Sequence, residues 1–496
     1  MRLVQNFPFA CILLTLICAV VSSVLSARAA RRLTAGLILA VTAMTALVLA
    51  DALATGESYV YLMGHFPAPW GNEIRAGALE ASLMLVFCFV LLLSFVGGLR
   101  RSTLELEGSK YNIFCILVDL ALLSLLALTY TNDLFTAYVF IEINTLAAAG
   151  LVMARQNGKS LVGGVRYLIM NLLGSSLFLI GVVLLYAITG HLLMANIHES
   201  VARLAASGEY RVPLTVVVGL MSVGLAMKCA LFPFDTWLPS AYSNATPTAS
   251  AILSSLVSKG YIFLLVKVYV RVIGFDVVRS LGILDVLFIY GAIGMVIGSV
   301  SAVRAKTTRL MVAYSSVAQI GYIFTAIGLG TQAGLICALW HVMAHALTKS
   351  MLFIANDALS EASGGTGLRA DLRGAFYRSP LAAAAFTLGG VNLVGVPLLS
   401  VFITKLTMAQ AAIEVGGRHM AIALAALAIS TVLNTIYFLG TAASFYSPRD
   451  GEKEVRAPLD AFACISLAGF VAVNLLLSFL SGNVLAVLAD GLAKFV

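Results

Sequence analysis

The chain reads as a succession of apolar runs, each close to 20 residues long, separated by short polar stretches. A run of that length, wound as a helix, crosses the hydrocarbon core of a bilayer. About 14 such runs are expected. They fall near residues 7–27, 33–53, 78–98, 111–131, 133–153, 163–189, 213–231, 247–271, 282–303, 309–329, 331–356, 379–409, 419–446 and 458–482. The spans have to be helical, because hydrocarbon offers no partner for a free backbone amide. The pattern therefore predicts an all-α integral membrane protein. Its longest polar stretches, 54–77, 190–212 and 357–378, are too short for a separate soluble domain. The first run carries its basic cluster (Arg28, Arg31, Arg32) behind it, so despite Arg2 it reads as a retained helix and not a cleaved leader.

Two runs contain helix-breaking sequence. One is Leu231-Phe-Pro-Phe-Asp-Thr-Trp-Leu-Pro239, followed by Ala245-Thr-Pro247; the other is Gly390-Val-Asn-Leu-Val-Gly-Val-Pro-Leu-Leu-Ser400. Proline lacks the amide donor and collides with the preceding turn, so Pro233, Pro239, Pro247 and Pro397 are expected to mark breaks. Broken spans at separated positions point to a transport path and often mark the halves of an inverted repeat; proline kinks also occur in bland membrane helices.

Composition narrows the class. The chain is 60% hydrophobic and 11% charged, where a soluble domain keeps about a quarter of its residues charged. The formal net charge of +8 lies in short loops, which argues for membrane topology and against nucleic acid. Positive loops at 28–32, 100–110, 155–166 and 304–309 alternate with acidic or neutral ones. The positive-inside rule then puts the positive loops in the cytoplasm and both termini outside the cell (inner) membrane. Cys11, Cys18, Cys88, Cys115, Cys229, Cys337 and Cys464 all lie in apolar runs, without a C-x-x-C pair. They read as small hydrophobes, and no cofactor is expected.

Candidate chemistry lies in the charges inside the spans: Asp119, Glu142, Lys228, Lys259, His341, His345, Lys349 and Lys405. Each costs roughly 2.5–3.5 kcal/mol near the bilayer centre, so the set requires a hydrated or mutually paired interior. Glu142, after the helix-start signal Asn132-Asp133, and Lys228, just before the first break, make a candidate proton switch. A nearby carboxylate holds the lysine proton on, and its withdrawal lets desolvation release it. A static ion pair is the rival reading. His341, His345 and Lys349 recur every four residues and share one helical face, a row able to pass protons through water. A metal site there lacks the glutamate of H-E-x-x-H and a third ligand. Lys405, past the second break, offers a terminal donor or acceptor. Asp119 has two open readings, a lysine partner on a neighbouring helix or a water cavity.

These residues stand in segments that resemble the antiporter-like subunit family shared by Mrp-type Na+/H+ antiporters, respiratory complex I and membrane-bound hydrogenases. The most specific stretch runs from Met227-Lys-Cys-Ala-Leu-Phe-Pro-Phe-Asp-Thr-Trp-Leu-Pro239 through Thr246-Pro-Thr-Ala-Ser-Ala-Ile-Leu253 to Val257-Ser-Lys259. Ala313-Tyr-Ser-Ser-Val-Ala-Gln-Ile-Gly-Tyr322, His341-Val-Met-Ala-His-Ala-Leu-Thr-Lys349, Asp371-Leu-Arg-Gly374 and Gly395-Val-Pro-Leu-Leu-Ser-Val-Phe-Ile-Thr-Lys405 add to it, as does Phe66-Pro-Ala-Pro69 with Trp70-Gly.

The resemblance implies fourteen helices, with helices 4–8 and 9–13 as inverted repeats and helices 7 and 12 broken. It divides the chain into an N-terminal segment 1–110, repeats at 111–271 and 282–446, and a helix-14 region 447–496. It further implies that Glu142 modulates Lys228, that Lys259, His341, His345 and Lys349 form a central relay, and that Lys405 ends it. Asp235, Lys306-Thr-Thr-Arg309, Leu398 and Gly77 depart from the family pattern, and none of them removes a relay residue. The function implied is a proton- or cation-translocating subunit, most like the D-type component of Mrp Na+/H+ antiporters, with other membrane subunits, lipid, protons and Na+ as partners. The rivals are a proton-pumping subunit of a complex I-like or hydrogenase complex, a structural subunit, and a single-chain carrier.

Overall fold

The computed structural model describes residues 3–66, 71–448, 457 and 459–495. Residues 67–70 of the N-terminal motif, and Arg2, lie outside the described residues. Among the described residues, thirteen helices are long and apolar enough to cross a membrane: α1 Leu3–Ser22, α2 Ala27–Thr55, α3 Ala78–Gly97, α4 Tyr111–Tyr130, α5 Leu134–Met153, α6 Gly158–Thr189, α7 Arg211–Asn244, α8 Pro247–Ile273, α9 Ile283–Arg304, α10 Thr308–Gly328, α11 Gln332–Ala362, α13 Gly417–Tyr446 and α14 Ala461–Phe479. Between α11 and α13, α12 is divided into Pro380–Val394 and Ser400–Val415. A further helix, α15 Ser481–Ala493, follows α14.

Polar side chains start several helices where the apolar runs begin. Asp133 Oδ1 accepts from Thr136 N at 2.7 Å, Asn157 Oδ1 from Ser160 N at 2.8 Å, and Thr331 Oγ1 from Gly334 N at 3.0 Å. Such caps satisfy amides that have no partner within the helix. The polar stretches hold more order than hydropathy predicts. Tyr59–Leu62 and Glu73–Ala76 pair as an antiparallel hairpin, and Met194–Ser207 is helical.

Every residue of α8 is buried, as is α11 from Cys337 to Asn356. α8 packs on α4 and α7 on one side and on α11 on the other. The outer helices turn apolar side chains outward, among them Val20, Ile169, Val432 and Ile465, all more than half exposed; a lipid environment accommodates such a surface. Close packing relies on small residues, as in other membrane helices. A Cβ on Gly224 of α7 would lie 2.5 Å from the Gly174 carbonyl oxygen of α6, and one on Gly298 of α9 would lie 2.4 Å from the Ala318 amide nitrogen of α10.

Both predicted breaks are present. Helical geometry in α7 stops at Cys229, Ala230 is left-handed (φ 61°), and the helix resumes at Leu238. In α12 it stops at Val394, Gly395 takes φ 82°, and it resumes at Ser400. Each break is tied by an indole: Trp237 Nε1 donates to Met227 O at 3.2 Å, and Trp340 Nε1 to Ser400 O at 2.9 Å. Pro233 and Pro397 sit inside the breaks. Pro239 and Pro247 do not; each lies in the first turn of a helix, where the missing amide would have had no partner anyway.

Candidate functional site

Lys228, Lys259, His341, His345 and Lys349 are fully enclosed, and Lys405 is 8% exposed. The helices that carry them adjoin one another in the order α7, α8, α11, α12. At one end, Lys228 Nζ donates to Thr145 Oγ1 at 2.6 Å and lies 4.9 Å from the centre of the Tyr261 ring. The Thr145 and Tyr261 hydroxyls are 3.3 Å apart. The expected Glu142–Lys228 ion pair is not formed within 4.0 Å. Glu142 lies three residues before Thr145 on α5, roughly 4.5 Å along the axis, and is half-buried. The ammonium sits beside the threonine, and the carboxylate acts on it only through its field.

Lys259 occupies the middle. It follows a π-helical stretch of α8, Leu253–Val257, a distortion common at functional sites. Its Nζ donates to the Ser254 carbonyl and to Ser258 Oγ at 3.0 Å. It lies within electrostatic reach of His341, His345 and Lys349.

On α11 the three-residue row faces α10 and α12. Lys349 Nζ donates to Val312 O at 2.8 Å and to Ser315 Oγ. The His341 and His345 rings are 5.8 Å apart, and His341 Nδ1 is 3.0 Å from Thr404 Oγ1. The Tyr322 ring stacks 5.7 Å from His341 and lies 5.8 Å from Lys405 Nζ. Lys405 donates to Val394 O at 2.6 Å, a carbonyl freed by the α12 break, and to Thr431 Oγ1 at 2.8 Å. The helices α5, α10 and α11 also carry buried polar atoms that no described protein group satisfies: both amide atoms of Asn144 and of Gln319, both ring nitrogens of His345, and His341 Nε2.

Asp119 stands apart from the line. Its Oδ2 accepts from Thr34 Oγ1 at 3.1 Å and Ser22 Oγ at 3.5 Å, and among the described residues no lysine pairs with it; α1 and α2 supply hydroxyls there. Sequence reasoning missed Thr145, Tyr261, Tyr322, Thr404 and Thr431, since uncharged hydroxyls do not stand out in an apolar run. It also passed over Lys267 of α8, whose Nζ donates to the Leu128, Thr129 and Thr131 carbonyls at 3.2, 2.6 and 2.8 Å. That cation closes the C-terminal end of α4, where the helix dipole favours it. Arg75 and Arg271 flank Glu80 at 3.6 and 3.9 Å, a second charge cluster off the line.

Residues 131–433, which hold every member of this line, match the NADH:quinone oxidoreductase/Mrp antiporter transmembrane family. The chain belongs to that family. Among its relatives are NADH-quinone oxidoreductase subunit N of Desulforudis audaxviator, 34% identical over 409 residues (81% of this chain, 78% of that one), and the D-type component of the Na(+)/H(+) antiporter of Alkalihalophilus pseudofirmus, 28% identical over 354 residues (71% and 69%). The fold is shared with a chain of the archaeal membrane-bound sulfane sulfur reductase complex, at TM-score 0.88 and 24% identity over 100% of this chain and 98% of that one. It is shared too with a chain of the Mrp complex from Dietzia sp., at TM-score 0.84 and 23% identity over 100% and 98%. The protein is an antiporter-like, multi-pass membrane subunit of the Mrp and complex I type.

Proposed function

We propose that this subunit moves protons along the line Lys228–Lys259–Lys349/His345–His341–Lys405, with Glu142 biasing the charge on Lys228. One observation carries the reading: buried titratable side chains on adjoining helices are accompanied by hydroxyls and by buried polar atoms that lack a partner among the described residues. An unsatisfied buried polar group costs about 1–3 kcal/mol, and folded proteins meet that demand with ordered water. Water against Asn144, Gln319 and His345 would join the lysines and histidines into a conducting chain. A scaffold would have no use for so many enclosed charges.

The reading places the subunit in the cell membrane with both termini outside, among lipid and other subunits, and includes Na+ as a cation exchanged by the assembly. It treats α4–α8 and α9–α13 as inverted repeats, supported by the matching breaks in α7 and α12 and their indole ties. Coupling to redox chemistry in partner subunits is the second reading, favoured by the 34% identity to a quinone oxidoreductase subunit. The test is Lys228→Ala in the assembled native complex, assayed for ion movement in vesicles. Loss of coupled transport with assembly intact supports the proposal; native transport by the assembled variant removes it.

A further inference from the structure

The α11 row continues past Lys349. Steps of four residues lead through Phe353 to Asp357 and Glu361, so Asp357 lies roughly 12 Å further along the axis. There Arg101 is 3.6 Å from Asp357, 3.7 Å from Glu361 and 2.9 Å from Glu105, while Arg155 Nε donates to Glu105 Oε2 at 2.8 Å. Burial works against the Arg101 cation, but the three carboxylates together outweigh it and raise its pKa.

A cavity of about 300 Å³ opens among Arg101, Arg155, Asn244, Arg309, Asn356 and Asp357. Asn356 is 2% exposed, and its Oδ1 has no partner among the described residues. From this cavity a second row leads inward. Arg309 donates to Ser250 Oγ at 2.9 Å, and Thr246, which caps α8, and Ser250, Ser254 and Ser258 along it recur every four residues, all buried. The row ends at Lys259, which donates to the Ser254 carbonyl and the Ser258 hydroxyl.

We infer that the Asp357 cavity is the port through which protons pass between one membrane surface and Lys259, with Asp357 as the carboxylate that takes up and hands over the proton. The inference rests on the translocation reading above. Among the three carboxylates, Glu105 is held by two arginines and Glu361 is about half exposed. Asp357 is largely buried, and its 3.6 Å contact with Arg101 is longer than the 2.9 Å contact that Glu105 makes. Arginine keeps its proton at any ordinary pH, so proton uptake in this cavity falls to a carboxylate. A hydronium ion gives its proton to a carboxylate oxygen of Asp357. The proton then moves through water and the α8 hydroxyls, each forming one O–H bond as another breaks, onto the lone pair of neutral Lys259. Hydroxyls suit this passage because each both donates and accepts. The basic residues around the cavity come from the loops that the charge bias assigns to the cytoplasm, which puts the port on that side.

The test uses vesicles containing the native complex with Asp357→Asn, Asp357→Glu or Lys228→Ala, assayed for coupled proton movement with and without azide, a small weak acid that can carry protons into such a cavity. The inference expects Asp357→Asn to slow movement by roughly tenfold or more, Asp357→Glu to retain most of it, and azide to restore the Asn variant. Two results overturn it: an unaffected Asp357→Asn beside an inactive Lys228→Ala, which leaves the translocation reading standing, and a slowed Asp357→Asn that azide does not restore. Native movement by Lys228→Ala would instead sink the translocation reading. If Asp357→Asn fails to assemble, Ser250→Ala/Ser254→Ala takes its place; slowed movement supports the port and native movement refutes it.

Discussion

Lys228 Nζ donates to Thr145 Oγ1 at 2.6 Å, and among the described residues no carboxylate lies within ion-pair distance of that ammonium. A buried lysine held by a neutral hydroxyl is free to change charge, where one locked to a carboxylate would keep its proton. The contact makes Thr145 part of the switch. Thr145→Val should lower transport by about tenfold, the equivalent of one hydrogen bond to a charged group, while Thr145→Ser retains it. Vesicle transport by the assembled variants checks this.

Glu142 reaches Lys228 through its field alone, so charge should matter more than side-chain length. Glu142→Gln is expected to reduce transport strongly and Glu142→Asp less. Equal and negligible losses in the same vesicle assay would remove Glu142 from the mechanism.

Asp119 contacts hydroxyls of α1 and α2 and no member of the relay. Asp119→Asn should leave the rate of ion movement native. A loss comparable to that of Lys228→Ala would show that the line is drawn too narrowly.

The α9–α10 contact admits no side chain at Gly298. Gly298→Leu should destabilise the protein by roughly 1–3 kcal/mol, read as a lowered unfolding temperature of the solubilised complex.

Much of this architecture was legible in the chain. Apolar runs and the start signal Asn132-Asp133 locate helices, and the four-residue spacing of His341, His345 and Lys349 places them on one face. What escaped has physical causes. Pro239 and Pro247 look like breaks, but a proline in a first helical turn costs nothing, so proline alone does not locate one. The Tyr59–Leu62 hairpin and α15 are short elements held by tertiary contacts, which hydropathy does not register. Thr145 and Thr404 carry no charge and look bland until the fold sets them beside Lys228 and His341. Asp357 was the nearest miss: it continues the α11 spacing, but Phe353 interrupts the polar pattern.

Lys259 is the sharpest point of test, because it is the group that joins the Lys228 side of the line to α11. The decisive measurement is proton movement by the assembled complex carrying Lys259→Ala, with the full set of subunits verified. The account predicts that movement stops while the complex stays intact; movement at the native rate would contradict it.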